Sequence, residues 1–211
     1  FASDATQIAW WSNLLSVFVS AATISLLYYI IALIIKFSWP ASNNAYLRIS
    51  VPSAIGALLF AVTDTFWFSA VESEVYALSL FFTAITFWAI LRWEEDWQNN
   101  KSGIRWIVLI SYLTGLSIGV HLLNLLTIPV LVMIVWFRMQ HFGWKEMTKA
   151  LLVGFLILGV ILVVFVQNGL WLAAKVELFA VNQLGLPLQS GLIVAVLALF
   201  ALLFFALFKT F

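Results

Sequence analysis

The 211-residue chain contains no cysteine, which excludes disulfides, thiolate nucleophiles and cysteine metal sites while leaving the compartment open. Charge is nearly as scarce. Asp, Glu, Lys and Arg make up 9% of the residues and the net charge is +1, so no basic patch exists to neutralise phosphates and no nucleic-acid partner is expected. There is no HExxH pair, no internal repeat, no low-complexity tract and no stretch polar enough to form a soluble domain. The N-terminus lacks the basic flank and short apolar run of a signal peptide. Because the chain opens on Phe1 instead of Met and stops at Phe211 just after an apolar run, it is expected to be a piece of a longer polypeptide.

What fills the chain is apolar: 64% hydrophobic residues, 17% aromatics and a mean hydropathy of +1.10. Such a composition cannot coat a soluble domain, so the solvent must be lipid. Runs free of Asp, Glu, Lys and Arg extend over Ala5–Ile35, Ile49–Thr63, Val75–Leu91, Trp106–Phe137, Ala150–Ala174 and Leu178–Phe208. Several exceed the roughly 20 residues of a spanning helix. A β-barrel would alternate apolar and polar residues instead. The expected architecture is all-α, a polytopic transmembrane bundle of about seven spans in a single membrane domain, 1–211.

The basic residues select a topology. With spans at about 8–36, 50–68, 74–92, 106–120, 122–138, 149–168 and 190–208, all of them except Lys175 fall on one side, which is then the cytoplasm. Treating Trp106–Phe137 as one long helix splits the ten basic residues six to four, so the hairpin of two short helices is preferred. Against it, Ser111, Thr114, Ser117, His121 and Asn124 would line one face of a continuous helix. Two cytoplasmic loops are expected, RWEEDWQNNKSGIRW (Arg92–Trp106) and SWPASNNAYLR (Ser38–Arg48). Trp10, Trp11 and Trp67 are read as outer membrane anchors and Trp93, Trp97, Trp106, Trp136 and Trp144 as inner ones.

This topology gathers Asp64, Glu72, Glu74, His121, Asn124, Lys175, Glu177, Asn182 and Gln183 at the outer ends of the helices. Glu72 and Glu74 sit at a turn before a helix whose Tyr76, Ser79, Thr83 and Thr86 share one inward face. Glu74 is either an N-terminal cap favoured by the helix dipole or a carboxylate that orients a hydroxyl, acts as a base or holds a cation. Asp64 either shares that cavity or is an interfacial acid beside Trp67. His121 and Asn124 are expected on one helix face, after a Gly115/Gly119 pair whose spacing suits close helix packing. An intramembrane His has few innocent explanations, but HxxN spacing gives no metal site. Lys175 is the one outer cation, suited to a phosphate or simply snorkelling to the interface.

Three stretches, NLLSVFVSAATI (Asn13–Ile24), TFWFSAVESEVYALSLFFTAITFWAILRWEE (Thr65–Glu95) and GLSIGVHLLNLLTIPVL (Gly115–Leu131), resemble bacterial membrane proteins related to protein O-mannosyltransferases. These are a branch of the GT-C superfamily of multi-span glycosyltransferases. The EVYALS turn and the GVHLLNLL segment, in that order, carry the resemblance, which covers roughly Ala5–Leu131. It implies inverting transfer of a sugar, typically mannose, from a polyprenyl-phosphate donor to a hydroxyl on a secreted protein or glycan. The site would face outward from the bacterial cytoplasmic membrane, among membrane lipid. No cofactor is implied beyond the lipid-linked donor, and a metal requirement stays open. Glu74 in EVYA and His121 with Asn124 in VHLLN carry over as active-site residues, and Glu72, Asp64, Tyr76 and Lys175 are placed with substrate binding. The family's acidic motif in the first outer loop has no counterpart here, since Phe1–Asn13 holds only Asp4, so the main base is expected upstream.

Two other classes fit parts of the sequence. A transporter also buries polar stripes, but it predicts repeats and ionisable residues near the midplane. A non-catalytic scaffold subunit would tolerate loss of Glu74 and His121 except through stability.

Overall fold

In hydrocarbon a backbone amide finds no water, so it bonds within its own segment, and every regular element among the described residues is helical. The computed structural model describes residues 4–39, 45–72, 74–99, 101 and 103–210. Four helical stretches are long and apolar enough to cross a membrane: Gln7–Ser38, Val75–Gln98, Leu122–Met139 and Trp144–Val164. A bent pair, Tyr46–Ala61 with Asp64–Val71, makes a fifth if taken as one span. The chain forms two compact units, Phe1–Gly154 and Phe155–Phe211.

The first unit is built on α1 (Ala5–Ser38), which packs most extensively on α4 (Val75–Gln98) and α2 (Ala45–Ala61). α1 and α4 run parallel: Ser12 and Ser16 border one groove with Glu74 and Leu78, while Lys36 bonds Glu95 at 2.6 Å at the opposite end. Small residues allow the close approach that packing in lipid depends on. Ser16, Ser20 and Thr23 of α1 are buried, as are Ser53 of α2 and Ser79 and Thr86 of α4. Several hydroxyls satisfy themselves on the preceding turn, Thr23 on the Val19 carbonyl at 2.9 Å and Ser53 on that of Ile49 at 2.6 Å. Gly56 lies against Ile31, where a Cβ would stand 2.9 Å from Cδ1.

The span expected over about 50–68 is broken. α2 ends at Ala61, and α3 (Asp64–Val71) leaves at 67°. Thr63 turns the chain, its hydroxyl and amide both donating to the Phe60 carbonyl, and Asp64 supplies negative charge to the first turn of α3. The Phe60 and Phe66 rings pack across the bend with centroids 5.0 Å apart.

The expected Arg92–Trp106 loop is shorter than its composition suggested, because α4 continues to Gln98. Its charged last turns are held from several sides. Glu95 takes Lys36 and Arg92, and Glu94 takes Arg138 at 2.6 Å and the Gln98 amide at 3.0 Å. Asp96, 4% exposed, accepts from Arg105 and the Trp106 indole, each at 2.7 Å. Trp93 is buried under the Arg138 guanidinium, 3.7 Å from its ring, and so is a packing residue instead of a membrane anchor. Of the expected Ser38–Arg48 loop, residues 40–44 lie outside the described residues, and from Ala45 the chain is helical.

Trp106–Phe137 is not one helix. α5 (Ile104–Ile118) stops at Gly119, a 3-10 turn covers Leu122–Leu126, and α6 (Thr127–Met139) follows, its Pro129 in the first turn where a missing N–H costs nothing. Among the described residues the Gly115/Gly119 pair therefore packs no helix: a Cβ on Gly115 would meet nothing within 4 Å, and Gly119 lies past the helix end. Close approach occurs instead at Gly154 of α7 (Trp144–Val160), where a Cβ would come within 2.7 Å of Pro129 Cα.

In the second unit a π-helical segment, Ile161–Gln167, leads into α8 (Asn168–Asn182), so the stretch expected to be an outer loop is helical up to Asn182. α8 packs on α9 (Ser190–Thr210). Glu177 fixes that contact by accepting the Gln189 and Leu192 amides at 2.5 and 2.8 Å, a charge-assisted cap on the α9 N-terminus. Gly191 admits the approach, since any Cβ there would strike the Glu177 backbone.

Candidate functional site

The end of the first unit opposite the ion pairs collects the start of α4, the α2–α3 arm, the α1 N-terminal half and the turn after α5. Glu74 occupies the position before α4 with extended backbone (φ −120°, ψ 166°), held by its amide's 2.9 Å bond to the Glu72 carbonyl. Its carboxylate makes no cap bond to the helix. Glu74 instead borders a groove of about 240 Å³ that Ser12, Leu15, Ser16, Val19, Val75 and Leu78 also line. A charged acceptor beside hydroxyls on an apolar floor is the arrangement of a small-ligand site.

The other wall of the α4 start carries Tyr76, 50% exposed, whose ring centroid lies 6.0 Å from that of His121. His121 is half-buried, with Nδ1 accepting the Leu123 amide at 3.1 Å. A backbone N–H can only donate, so Nδ1 serves as the acceptor in this contact. That leaves Nε2 as a donor.

Asn124 does not share a helix face with His121. It is fully buried inside the 3-10 turn, where its Nδ2 donates to Ser117 Oγ at 2.9 Å and Thr86 Oγ1 at 3.3 Å. The Asn124 carbonyl in turn accepts from the Thr127 hydroxyl at 2.7 Å. Asn124 thus ties the turn to α4 and α5, and His121 at the turn's start is presented by it. Of the four buried side-chain oxygens without a hydrogen-bond partner among the described residues, two, Asn124 Oδ1 and Ser79 Oγ, lie on this turn and on α4. The inward stripe of α4 holds Ser79 and Thr86 buried, with Tyr76 left outside at its end.

The remaining site candidates are dispersed. Asp64 is exposed in the first turn of α3, and Glu72 is exposed at its C-terminal cap, its amide bonded to the Phe68 carbonyl. Lys175 belongs to the second unit, its ammonium 4.3 Å from the centroid of Trp171 one turn earlier. Among the described residues no three carboxylates or imidazoles converge as a metal site would require. The groove hydroxyls Ser12 and Ser16 were missed in the sequence, although their spacing of four within NLLSVFVSAATI and its flank marks one helix face.

Comparison with curated proteins and comparison with solved structures each returned no match. Residues 1–145, which include every site candidate except Lys175, match the model of the protein O-mannosyl-transferase TMEM260 N-terminal domain, and the chain belongs to that family.

Proposed function

We propose that this chain is the membrane part of a glycosyltransferase that moves a sugar, mannose in the first instance, from a polyprenyl-phosphate donor to an acceptor hydroxyl outside the cytoplasm. The observation that carries the reading is Glu74, whose carboxylate has no partner among the described residues, on a groove it shares with Ser12 and Ser16 inside the segment matched by a protein O-mannosyl-transferase family. In a GT-C-like bundle of about seven spans, that end faces the extracytoplasmic side of a bacterial cytoplasmic membrane. The acceptor is a secreted protein or glycan.

Glu74 accepts a hydrogen bond from a sugar or acceptor hydroxyl, with Ser12 and Ser16 beside it. His121 Nε2–H donates to a sugar or phosphate oxygen, and Tyr76 packs against its ring. As the acceptor oxygen bonds to the anomeric carbon and its proton passes to a carboxylate base, the bond to the lipid phosphate breaks and negative charge grows on that phosphate, where a donor aimed in advance contributes most. Asn124 is a positioning residue: it holds the turn and touches no ligand. On this reading Asp64 and Glu72 contact the acceptor, and Lys175, in the second unit, contributes a separate contact to a lipid phosphate.

The test uses the full-length protein in membranes, following labelled mannose from polyprenyl-phosphate mannose to endogenous acceptors in wild type and Glu74→Gln. Transfer lost in a variant of unchanged expression and thermal midpoint supports the assignment. Equal transfer reduces Glu74 to a helix-start residue. If neither protein transfers mannose or another lipid-linked sugar, the scaffold and transporter classes take precedence.

A further inference from the structure

At the ion-paired end a second groove, of about 310 Å³, opens between α1, α2 and α4. Tyr29, Leu33, Ile49 and Trp88 wall it, and Lys36 and Arg92 edge it. Both cations lean on the same acid, Lys36 on Glu95 Oε1 and Arg92 on Oε2. The Glu95 side chain is 12% exposed, whereas those of Lys36 and Arg92 are 57% and 37% exposed. One carboxylate leaves one positive charge over. Hydrogen-bonding capacity is left over too, since an ammonium has three donors and a guanidinium five. Arg138 shows the contrasting case: only 10% exposed, it places two N–H groups on Glu94 and stacks on Trp93 and Trp97.

We propose that this groove seats an anionic phospholipid, its phosphate on Lys36 and Arg92 and an acyl chain along Tyr29, Leu33, Ile49 and Trp88. Surplus cationic charge at the end of a spanning helix, above a groove open between helices, matches the phosphate and tail of one molecule. Trp and Tyr, apolar in body and polar at one tip, suit that depth. The site is separate from the Glu74 groove: Ser16 and Lys36 are 20 residues apart on α1, about 30 Å along a helix. The proposal rests on the membrane reading alone and stands whether or not the chain transfers a sugar.

The full-length protein is equilibrated with mixed micelles holding equal phosphatidylglycerol and phosphatidylcholine, re-isolated, and its retained lipid quantified by mass spectrometry. Wild type retains phosphatidylglycerol over phosphatidylcholine by about fivefold, the worth of one surplus surface charge. Lys36→Gln leaves the Arg92–Glu95 pair intact and removes the surplus, so the preference falls to near one. Ala32→Trp, which fills the groove without altering charge, lowers total retained lipid. No preference in wild type, preference persisting in Lys36→Gln, or unchanged retention in Ala32→Trp overturns the proposal. Displacement of phosphatidylglycerol by equimolar polyprenyl phosphate overturns the choice of occupant. Mannose transfer by Glu74→Gln reports on the opposite end, so the two readings fail independently.

Discussion

The two ends of the first unit differ in what their acids do. At one end Glu94, Glu95 and Asp96, consecutive on α4, each hold at least one cation, and indoles or guanidinium stacking close the remaining space. At the other, Asp64, Glu72 and Glu74 make no ion pair among the described residues, and all three are exposed. Carboxylates that lock helices together are used up by that task, while those without a structural partner remain free to meet a ligand. Charge count alone would have ranked the first end as the more reactive.

The comparison breaks most visibly at Arg138. Replacing it with Ala strands the largely enclosed Glu94 and removes the guanidinium from Trp93 and Trp97, so stability should fall by about 3 kcal/mol. A marked drop in the thermal midpoint of the purified protein checks this, and Arg138→Lys should recover only part of it because the fork and the stacking are both lost. Glu74→Gln should show the converse, a loss of mannose transfer of about 10- to 100-fold, the worth of a hydrogen bond to a charged group, with the midpoint unmoved. A Glu74 variant that unfolds, or an Arg138 variant that is fully stable, would erase the distinction between the ends.

Asn124→Ala sharpens it. Two buried hydrogen bonds disappear, costing about 1 kcal/mol, and the turn presenting His121 loosens. Transfer should fall by about tenfold, and His121→Ala combined with Asn124→Ala should add little to His121→Ala alone. The smallest effect belongs to Gly115→Ala, expected within about 0.5 kcal/mol of wild type. Gly154→Ala, pressed against the Pro129 backbone, should cost about 1–3 kcal/mol by the same thermal assay. Comparable losses at both glycines would restore the GxxxG reading.

Much of the bundle is legible in the sequence. Apolar runs located α1, α4 and the two helices on either side of His121, and the distribution of basic residues matches the end at which Lys36, Arg92, Arg105 and Arg138 gather. Helix ends were harder. RWEEDWQ looks like a loop by composition, yet its charges meet opposite charges on other helices, which keeps α4 helical to Gln98. The turn at Thr63 was hidden because Thr is at home in a membrane helix, and only its bonds to the Phe60 carbonyl show that the chain bends there. His121 and Asn124 were paired by a spacing of three that has meaning only on a helix. The 3-10 turn sends one into the core and leaves the other half-buried beside Tyr76.

By itself the sequence determined the solvent of this protein and the class of its elements, because hydrophobic burial and backbone hydrogen bonding in lipid depend on composition and run length, which are properties of the chain. It also located the polar residues that lipid would not tolerate without a reason. Which of those residues is spent on structure was decided only in three dimensions. Glu177 caps α9 and Glu94 holds Arg138, while Glu74 borders its groove without a cap bond. A carboxylate's availability depends on what lies within about 3 Å of it, and the sequence does not carry that distance.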